Sequence, residues 1–447
     1  MEWSGAYLDS GQRESTLTHP RVSRETWLLF ASYIFLLVLL PSGTVFGVNF
    51  KALAFLPLLV VVFVRSSRSY RFKWQLGGML VTFAAFVCWA ILPSFYPVFT
   101  SDMAVSQLKD VITTLVGCWF IRELTQNEED RRSFLRLVLY SVAFGCFLKG
   151  LIFLYSLRSG VSVSDIVDRI SALFGVKLMS ADMGEMSVRL QFVSDNLLPM
   201  CVFAILCLRR KLRIGAVQSL VLMALFIFSS AYTFSRYSWA STGLAIILGI
   251  AVSRRDKMHW LYIAAGAGIA ALSYNLLATL IAFRFSGELV DSSDNVRVEQ
   301  IRALKAFFWD APLFGHGLGT YTTDVVRSLE LPYNYEVQLL ALPGQVGLVG
   351  MLLFAVLLAN YYRKAFTFRS GTVAYQLCVL AMLVNFLGAA LFNPCLLTSA
   401  AAVSFGFLFA LAALGSCRTE SQVAPSPRPV RFRLIPDLQR SVAEWPG

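Results

Sequence analysis

The strongest constraint on this 447-residue chain is that apolar runs long enough to cross a bilayer recur from one end to the other. A helix of about 17–25 apolar residues spans the hydrocarbon core. Inside lipid, every backbone polar group must bond within its own segment or around a closed barrel. The runs are continuous rather than alternating, so they read as helices and not as barrel strands. About twelve spans are expected, near residues 26–41, 48–64, 76–93, 104–121, 134–157, 190–208, 214–233, 237–253, 258–282, 337–361, 372–391 and 396–416. The expected fold class is therefore all-α: a polytopic integral membrane protein with a partly helical extracytoplasmic loop between spans 9 and 10. Composition agrees, with 57% hydrophobic and 15% charged residues. The first run does not read as a cleavable signal peptide, because a polar leader, residues 1–25, precedes it and no small-residue cleavage site follows.

The net charge of +12 is a topology signal rather than a nucleic-acid footprint. Arg65, Arg68, Arg71 and Lys73 follow span 2, and Arg122, Arg131 and Arg132 follow span 4. Arg209, Arg210, Lys211 and Arg213 follow span 6; Arg254, Arg255 and Lys257 follow span 8; Arg363, Lys364 and Arg369 follow span 10. Short basic loops stay in the cytoplasm, which puts both termini there. Residues 26–417 then form one membrane domain, and the Pro-, Ser- and Arg-containing tail, 418–447, reads as a disordered cytoplasmic extension. The eight cysteines fall within spans or at their edges, in no CxxC or metal-ligand spacing, and read as small core residues.

On this topology two long loops face outward, residues 158–189 and 284–334. Loops beyond about 15 residues are uncommon unless they carry function. They hold Arg158, Arg169, Lys177, Arg189, Arg284, Arg297, Arg302, Lys305 and Arg327, and the short turn after span 7 adds Arg236 in "YTFSRYSWAS". An arginine at membrane depth costs about 2.5–3.5 kcal/mol on insertion scales, so it is paired, snorkelled or functional. All three remain open for Arg236, with an anionic substrate group as the functional partner.

In "SSDNVRVEQIRALKAFFWDAPLFG", Asp294 or Asn295 reads as the N-cap of a helix that Pro312 ends. Arg297 would lie in its first turn, where the dipole also attracts anions, and Ile301, Leu304 and Phe308 would form the packing stripe. "GHGLGT" lacks a phosphate-loop lysine and the strand before it, so it reads as a tight turn. His316 within it is the one histidine expected outside, as a structural residue or as an acid–base group. The acidic clusters "DMGE" and "DSSD" read as solvated loops, with no dedicated metal site. In "PYNYEVQLLALPGQVGLVG", Glu336 would begin span 10, either as a dipole partner or as a general base facing arginines. Pro343, Gly344 and Gly347 make that span irregular, and irregular helices at membrane depth line cavities.

"RLQFVSDNLLP", "TFSRYSWAS", "VRVEQIRALKAFFWDAPLFGHGLGTY" and "YNYEVQLLALPGQVGLVG", in that order and on that topology, resemble the O-antigen ligase and Wzy-type polysaccharide polymerase superfamily of integral-membrane glycosyltransferases. The motifs cover roughly residues 190–350. Where those ligases carry a histidine at the mouth of the later helix, this chain has Tyr335 and Glu336, so that histidine's role does not transfer. The Tyr-Glu pair is more similar to the polymerases.

The resemblance implies an inverting glycosyl transfer at the periplasmic face of the bacterial inner membrane, without metal, cofactor or nucleotide sugar. The donor would be an undecaprenyl-pyrophosphate-linked glycan, polymerised repeat by repeat. A chain-length regulator and a flippase of the same pathway are implied partners, beside membrane lipid and with no nucleic acid. Arg189, Arg236 and Arg297 would hold the pyrophosphate, since arginine gives forked, permanently charged contacts. Glu336 is the first candidate base and His316 the second. Tyr321, Tyr333 and Tyr335 would stack on sugar faces. The alternatives are a ligase transferring the glycan to lipid A–core, and a transporter of polysaccharide or lipid-linked sugar with Lys51, Lys109, Asp110 and Lys149 as intramembrane groups.

The charge pattern makes a direct prediction. Reporter fusions within 290–330 should be active only in the extracytoplasmic form, and fusions after Arg213 only in the cytoplasmic form. An active cytoplasmic reporter within 290–330 would invert the topology.

Overall fold

The structure, a computed structural model, describes residues 22–40, 44–46, 48–67, 72–92, 101–174, 179–182, 188–253, 258, 260–262, 264, 288–326, 331–368 and 372–415. It is a helical membrane protein. In chain order its helices are α1 (Arg24–Leu39), α2 (Phe50–Ser67), α3 (Phe72–Ile91), α4 (Ser101–Leu124), α5 (Glu128–Ser159), α6 (Val163–Phe174), α7 (Leu198–Leu208), α8 (Ala216–Tyr232), α9 (Arg236–Val252), α10 (Glu288–Asp310), α11 (Gln338–Tyr362), α12 (Val373–Ala389) and α13 (Ser399–Gly415). Among the described residues, four helical stretches, Phe50–Ser67, Asp102–Leu124, Glu128–Ser159 and Gln338–Tyr362, are long and apolar enough to cross a membrane. Shorter apolar helices accompany them. Exposed apolar side chains such as Leu53, Leu56, Val60 and Phe63 on α2 form a face suited to lipid.

Expected span 9 and the 418–447 tail lie outside the described residues, apart from a few positions between 258 and 264. Expected span 6 starts late: residues 188–191 form strand β4 and Val193–Leu197 a short 3₁₀ turn, and the helix begins only at Leu198. β4 pairs antiparallel with β3 (Met179–Asp182), and a smaller hairpin joins β1 (Thr44–Val45) to β2 (Val48–Asn49). The first long loop is thus structured, with α6 leading to the β3–β4 hairpin. Of the cysteines, Cys118, Cys146, Cys201 and Cys395 are buried and free as a core role requires, whereas Cys88 is exposed.

The centre of the bundle is α13. Every residue from Ala400 to Leu414 is buried, so it is apolar on all sides, as a helix enclosed by others must be. Small residues allow the close crossings that replace a hydrophobic driving force inside lipid. A Cβ on Gly117 of α4 would meet the Ala402 side chain of α13 at 2.7 Å, and Gly406 lies as tightly against Ile121. Tyr362, Tyr375 and Gln376 then hydrogen-bond carbonyls of α13 at Phe405, Leu411 and Ala412.

The irregularity expected in span 10 is a break of α11 at Gly347, with φ 67° and ψ 179°, about 14 Å along the axis from Gln338. Ending the ladder there frees backbone groups that must find other partners. The segment after α10 supplies them. His316 N–H donates to Gly344 O at 3.0 Å and Gly317 N–H to Gln345 O at 2.7 Å. Trp89 Nε1–H donates to Val346 O at 2.9 Å. Below the break, Leu348 N–H donates to Pro312 O at 2.9 Å and Val349 N–H to Leu313 O at 3.3 Å. The turn is anchored on α3 and α4 as well: Leu318 N–H reaches Ala90 O at 3.1 Å, and the Gln107 carboxamide joins Gly319 N–H to Gln345 Oε1. The glycines of "GHGLGT" therefore serve close backbone contact. A Cβ on Gly315 would collide with Gln345 O, and one on Gly319 with Ala104 N.

Gly347 has the backbone angles that essentially only glycine adopts, and a Cβ there would collide with Leu313 O. Gly347→Ala should therefore lower stability by about 1–3 kcal/mol or more, seen as an earlier thermal transition in detergent. Gly388→Ala, where nothing lies within 4 Å of the new Cβ, is the control and should melt unchanged.

Candidate active site

The connections described above bring the end of α3 and the starts of α4 and α11 to one face of the bundle, and Tyr237 on Asn385 and Phe392 adds the start of α9. The α12–α13 connection joins them there. Leu339 N–H donates to Ala390 O at 3.0 Å, and Leu396 N–H to Gln338 Oε1 at 2.8 Å. Glu336 stands just above this junction. It does not begin α11 but stands two residues before it, just outside the N-cap Val337. Its carboxylate faces Arg297 instead, with Arg297 Nε 2.9 Å from Glu336 Oε2 and both side chains only 15–17% exposed.

Arg297 is not in a first turn. α10 begins at Glu288, so Arg297 lies in its tenth position and the dipole argument for it fails. The packed face of α10 is also offset from the expected stripe. Gln300, Leu304 and Phe307 turn inward against α11, while Ile301 is exposed. Arg297 sits on that inward side, with its guanidinium carbon 6.0 Å from the centre of the Phe392 ring. The other neighbour of Phe392 is Tyr237, stacked at 5.1 Å, whose hydroxyl hydrogen-bonds Asn385 O. One ring thus stands between Arg297 and the residue after Arg236.

Arg236 opens α9, half-buried, immediately after the N-cap Ser235. A cation at a helix N-terminus adds to the positive end of the dipole, and the two together favour an anion. The turn that sets it there carries strain: Phe234 has φ 49°, in the left-handed region that a bulky residue rarely adopts. Arg189 lies in β4, two residues before Gln191, and its side chain falls outside the described ones.

Beside Tyr237 opens a small cavity of about 20 Å³ lined by Gln191, Asp195, Asn196, Thr233, Ser235, Ser238, Asn385 and Asn393 together with Pro199, Met200, Phe386 and Ala389. Sequence reading missed this cavity. Its one visible signal was polar residues inside apolar runs, such as Asn385 in "LVNFLG" and Asp195–Asn196 in "VSDNLL". Asp195 is bound firmly: Lys149 Nζ lies 2.5 and 2.7 Å from its two oxygens, and Phe192 N–H donates to Oδ2 at 2.9 Å. Lys149 is 1% exposed, so this is a buried ion pair. Breaking such a pair from one side leaves an uncompensated charge.

His316 is drawn into the fold. Its Nδ1 lies 3.1 Å from Gly344 O, its Nε2 3.1 Å from Asp310 Oδ2, and its ring stacks on Phe307 at 4.0 Å. Both nitrogens are engaged, which makes it a strut between α10 and the break in α11. The tyrosines are structural by position too. Tyr335 is 1% exposed, packed with Leu304, Val337 and Ala341, and accepts Thr322 N–H at 2.7 Å, so a sugar cannot reach its ring. Tyr333 donates to Ser106 Oγ at 3.1 Å and is nearly buried, and Tyr321 packs partly buried against the Tyr335 cluster. Burial pushes the phenols of Tyr333 and Tyr335 above their ordinary value. Neither is an acid–base group near neutral pH.

The structure therefore joins Arg297 with Glu336 directly, and with the Arg236 turn through Phe392. His316, Tyr333 and Tyr335 stand apart as supports. A double-mutant cycle of Arg297→Gln and Glu336→Gln should show a coupling of about 1.5–3 kcal/mol, the range for a hydrogen bond to a charged group, in reversible unfolding in detergent. Additive effects would mean the pair contributes nothing.

No family model and no curated protein matches the chain.

Proposed function

We propose that this protein is a glycosyltransferase of the extracytoplasmic membrane face that polymerises undecaprenyl-pyrophosphate-linked oligosaccharide repeat units into O-antigen or exopolysaccharide. The reading places it in a bacterial inner membrane with about twelve spans, both termini cytoplasmic, and the α10–α11 region outside. The observation that carries it is the Arg297–Glu336 pair at the mouth of a broken helix, one aromatic ring away from the arginine-bearing start of α9. A carboxylate beside an arginine at the mouth of an apolar bundle is suited to a reaction that takes a proton and releases an anion.

In the proposed step an acceptor hydroxyl oxygen attacks the anomeric carbon of the donor glycan. The bond from that carbon to the phosphate oxygen breaks, and undecaprenyl pyrophosphate leaves with the bonding electrons. Charge developing on the leaving group is met by the guanidinium groups of Arg236 and Arg297. The hydroxyl proton passes to Glu336. In the resting arrangement Glu336 holds Arg297 in place, and a pyrophosphate arriving at the guanidinium competes for it and frees the carboxylate. The exposed apolar surface of the bundle suits the polyprenyl tail. A free intramembrane cation, which a carrier would use, is not what Lys149 offers, because Asp195 holds it.

Purified protein with a lipid-linked repeat unit should yield a ladder of longer lipid-linked glycans. Product that forms only when lipid A–core is added would instead identify a ligase. Glu336→Gln keeps an acceptor for Arg297 but cannot take a proton. It should lower turnover by about 10²–10⁴-fold with substrate still bound. Arg236→Ala and Arg297→Ala should each abolish product, and lysine should restore little, because it keeps the charge and loses the fork. Normal turnover in Glu336→Gln would remove it as the base, and normal product from both alanine variants would remove the pyrophosphate site.

A further inference from the structure

We propose that the cations gathered at the C-terminal ends of α2, α4 and α11 form a binding site for the phosphate headgroup of an anionic phospholipid. The starts of α4 and α11 stand at the Arg297–Glu336 face, so these ends lie at the opposite end of the bundle. Arg65 is in the last turn of α2 and Arg122 in the last turn of α4, both half-buried, and Lys364 follows α11 by two residues. All three positive charges bear on one carboxylate, that of Glu123, which also accepts from Gln126 Nε2 at 2.7 Å. The neighbouring acids are engaged within the first turn of α5, where Glu128 pairs with Arg132 and Asp130 accepts from Asn127 at 3.3 Å. Three cations from three helices around a single carboxylate leave an excess of positive charge. The positive-inside pattern asks only for basic residues in the loops. It does not call for side chains brought from three helix ends to one point.

The same helix ends are short of hydrogen-bond acceptors. Ser66 stands next to Arg65, Trp119 lies one turn before Arg122, and Tyr361 lies one turn before Lys364. Ser66 Oγ, Trp119 Nε1 and the Tyr361 hydroxyl are all buried, and among the described residues none has a hydrogen-bond partner. The charge of Arg122 acts on the Tyr361 hydroxyl as well as on Glu123, which ties the two groups together. A buried donor without an acceptor is costly. A phosphodiester is the complementary group: it is negatively charged, it offers acceptors only, and it takes forked contacts from arginine. It would supply the missing acceptors directly or through water. What lies alongside points to a lipid rather than a free ion. Val60, Phe63 and Val64, in the last turns of α2, are 41–62% exposed. Acyl chains can lie on that face while the headgroup meets the basic helix ends, as basic groups between membrane helices hold anionic lipids.

Native mass spectrometry of the full chain in detergent, titrated with phosphatidylglycerol and separately with phosphatidylcholine, tests this. One phosphatidylglycerol should be retained in preference to phosphatidylcholine, which carries the same phosphate with its charge cancelled. Arg65→Gln and Arg122→Gln, each checked for an unchanged melting curve, should weaken that binding about 10-fold or more, the range for a hydrogen bond to a charged group. Arg209→Gln, at the end of α7, is the control for a merely basic surface and should bind as the unaltered chain does. Glu123→Gln should act in the opposite direction. It removes the competing carboxylate and should tighten binding about 2–5-fold, the range for an exposed charge pair, and it decides the matter if an arginine variant fails to fold. Equal retention of the two lipids, unchanged binding in both arginine variants, an equal loss in Arg209→Gln, or no tightening in Glu123→Gln overturns the site. Inorganic phosphate that displaces the lipid at equal concentration would make the free ion the ligand and overturns the lipid assignment.

Discussion

The exchange of backbone hydrogen bonds between the turn after α10 and the break in α11 is the constraint on which the outer half of this protein depends. A helix interrupted at Gly347 leaves carbonyls above the break and amides below it without their usual partners, in surroundings where water is scarce. The freed carbonyls at 344, 345 and 346 and the amides at 348 and 349 are taken up by one turn and one tryptophan. The turn cannot shift without unbinding α11, and α11 cannot close its ladder without expelling the turn. α10 is therefore fixed to the membrane domain by main chain, not only by side-chain packing, and Arg297 inherits that fixity. A charged pair whose geometry is to stay fixed gains from such support.

Charge in the described interior is managed by pairing. Lys149 with Asp195 and Arg297 with Glu336 are opposite charges brought together from distant chain segments, at different degrees of burial. The first is sealed and organises the 3₁₀ turn that carries Asn196 to the cavity. The second is partly open to solvent. The same device thus appears at two depths, and water access is what separates them.

The membrane-crossing helices were legible in the sequence because hydrophobic length is a bulk property, summed over many residues. Local polar detail was not. Asp294 and Asn295 favour helix caps intrinsically, yet α10 runs through them to Glu288. Of the expected stripe Leu304 is buried, but Ile301 is exposed and Gln300, polar and fully buried, takes the inward place beside it against the hydropathy pattern. Glu336 and Arg297 were both singled out, but their pairing across 39 residues is tertiary information that no spacing encodes. The tyrosines of "PYNY" read as surface aromatics, and only packing against Leu304 shows that Tyr335 is interior. The cavity beside Tyr237 is the plainest case. Gln191, Asn196, Asn385 and Asn393 come from three regions, and none stands out alone.

The position of α13 has a consequence for how the protein is made. It is the axis of the bundle, enclosed by α1, α4, α5, α7 and α12, and it follows all of them in chain order. Helices leave the ribosome in sequence, so each earlier one enters the bilayer before the partner it will surround exists. Until residue 415 has emerged, the small-residue faces of Gly117 and its neighbours are open to lipid, and the assembly is a ring awaiting its hub. Completion of the bundle is thereby tied to the emergence of α13. A nascent chain stalled before α13 presents unfilled grooves, which is the state that membrane quality control is equipped to remove.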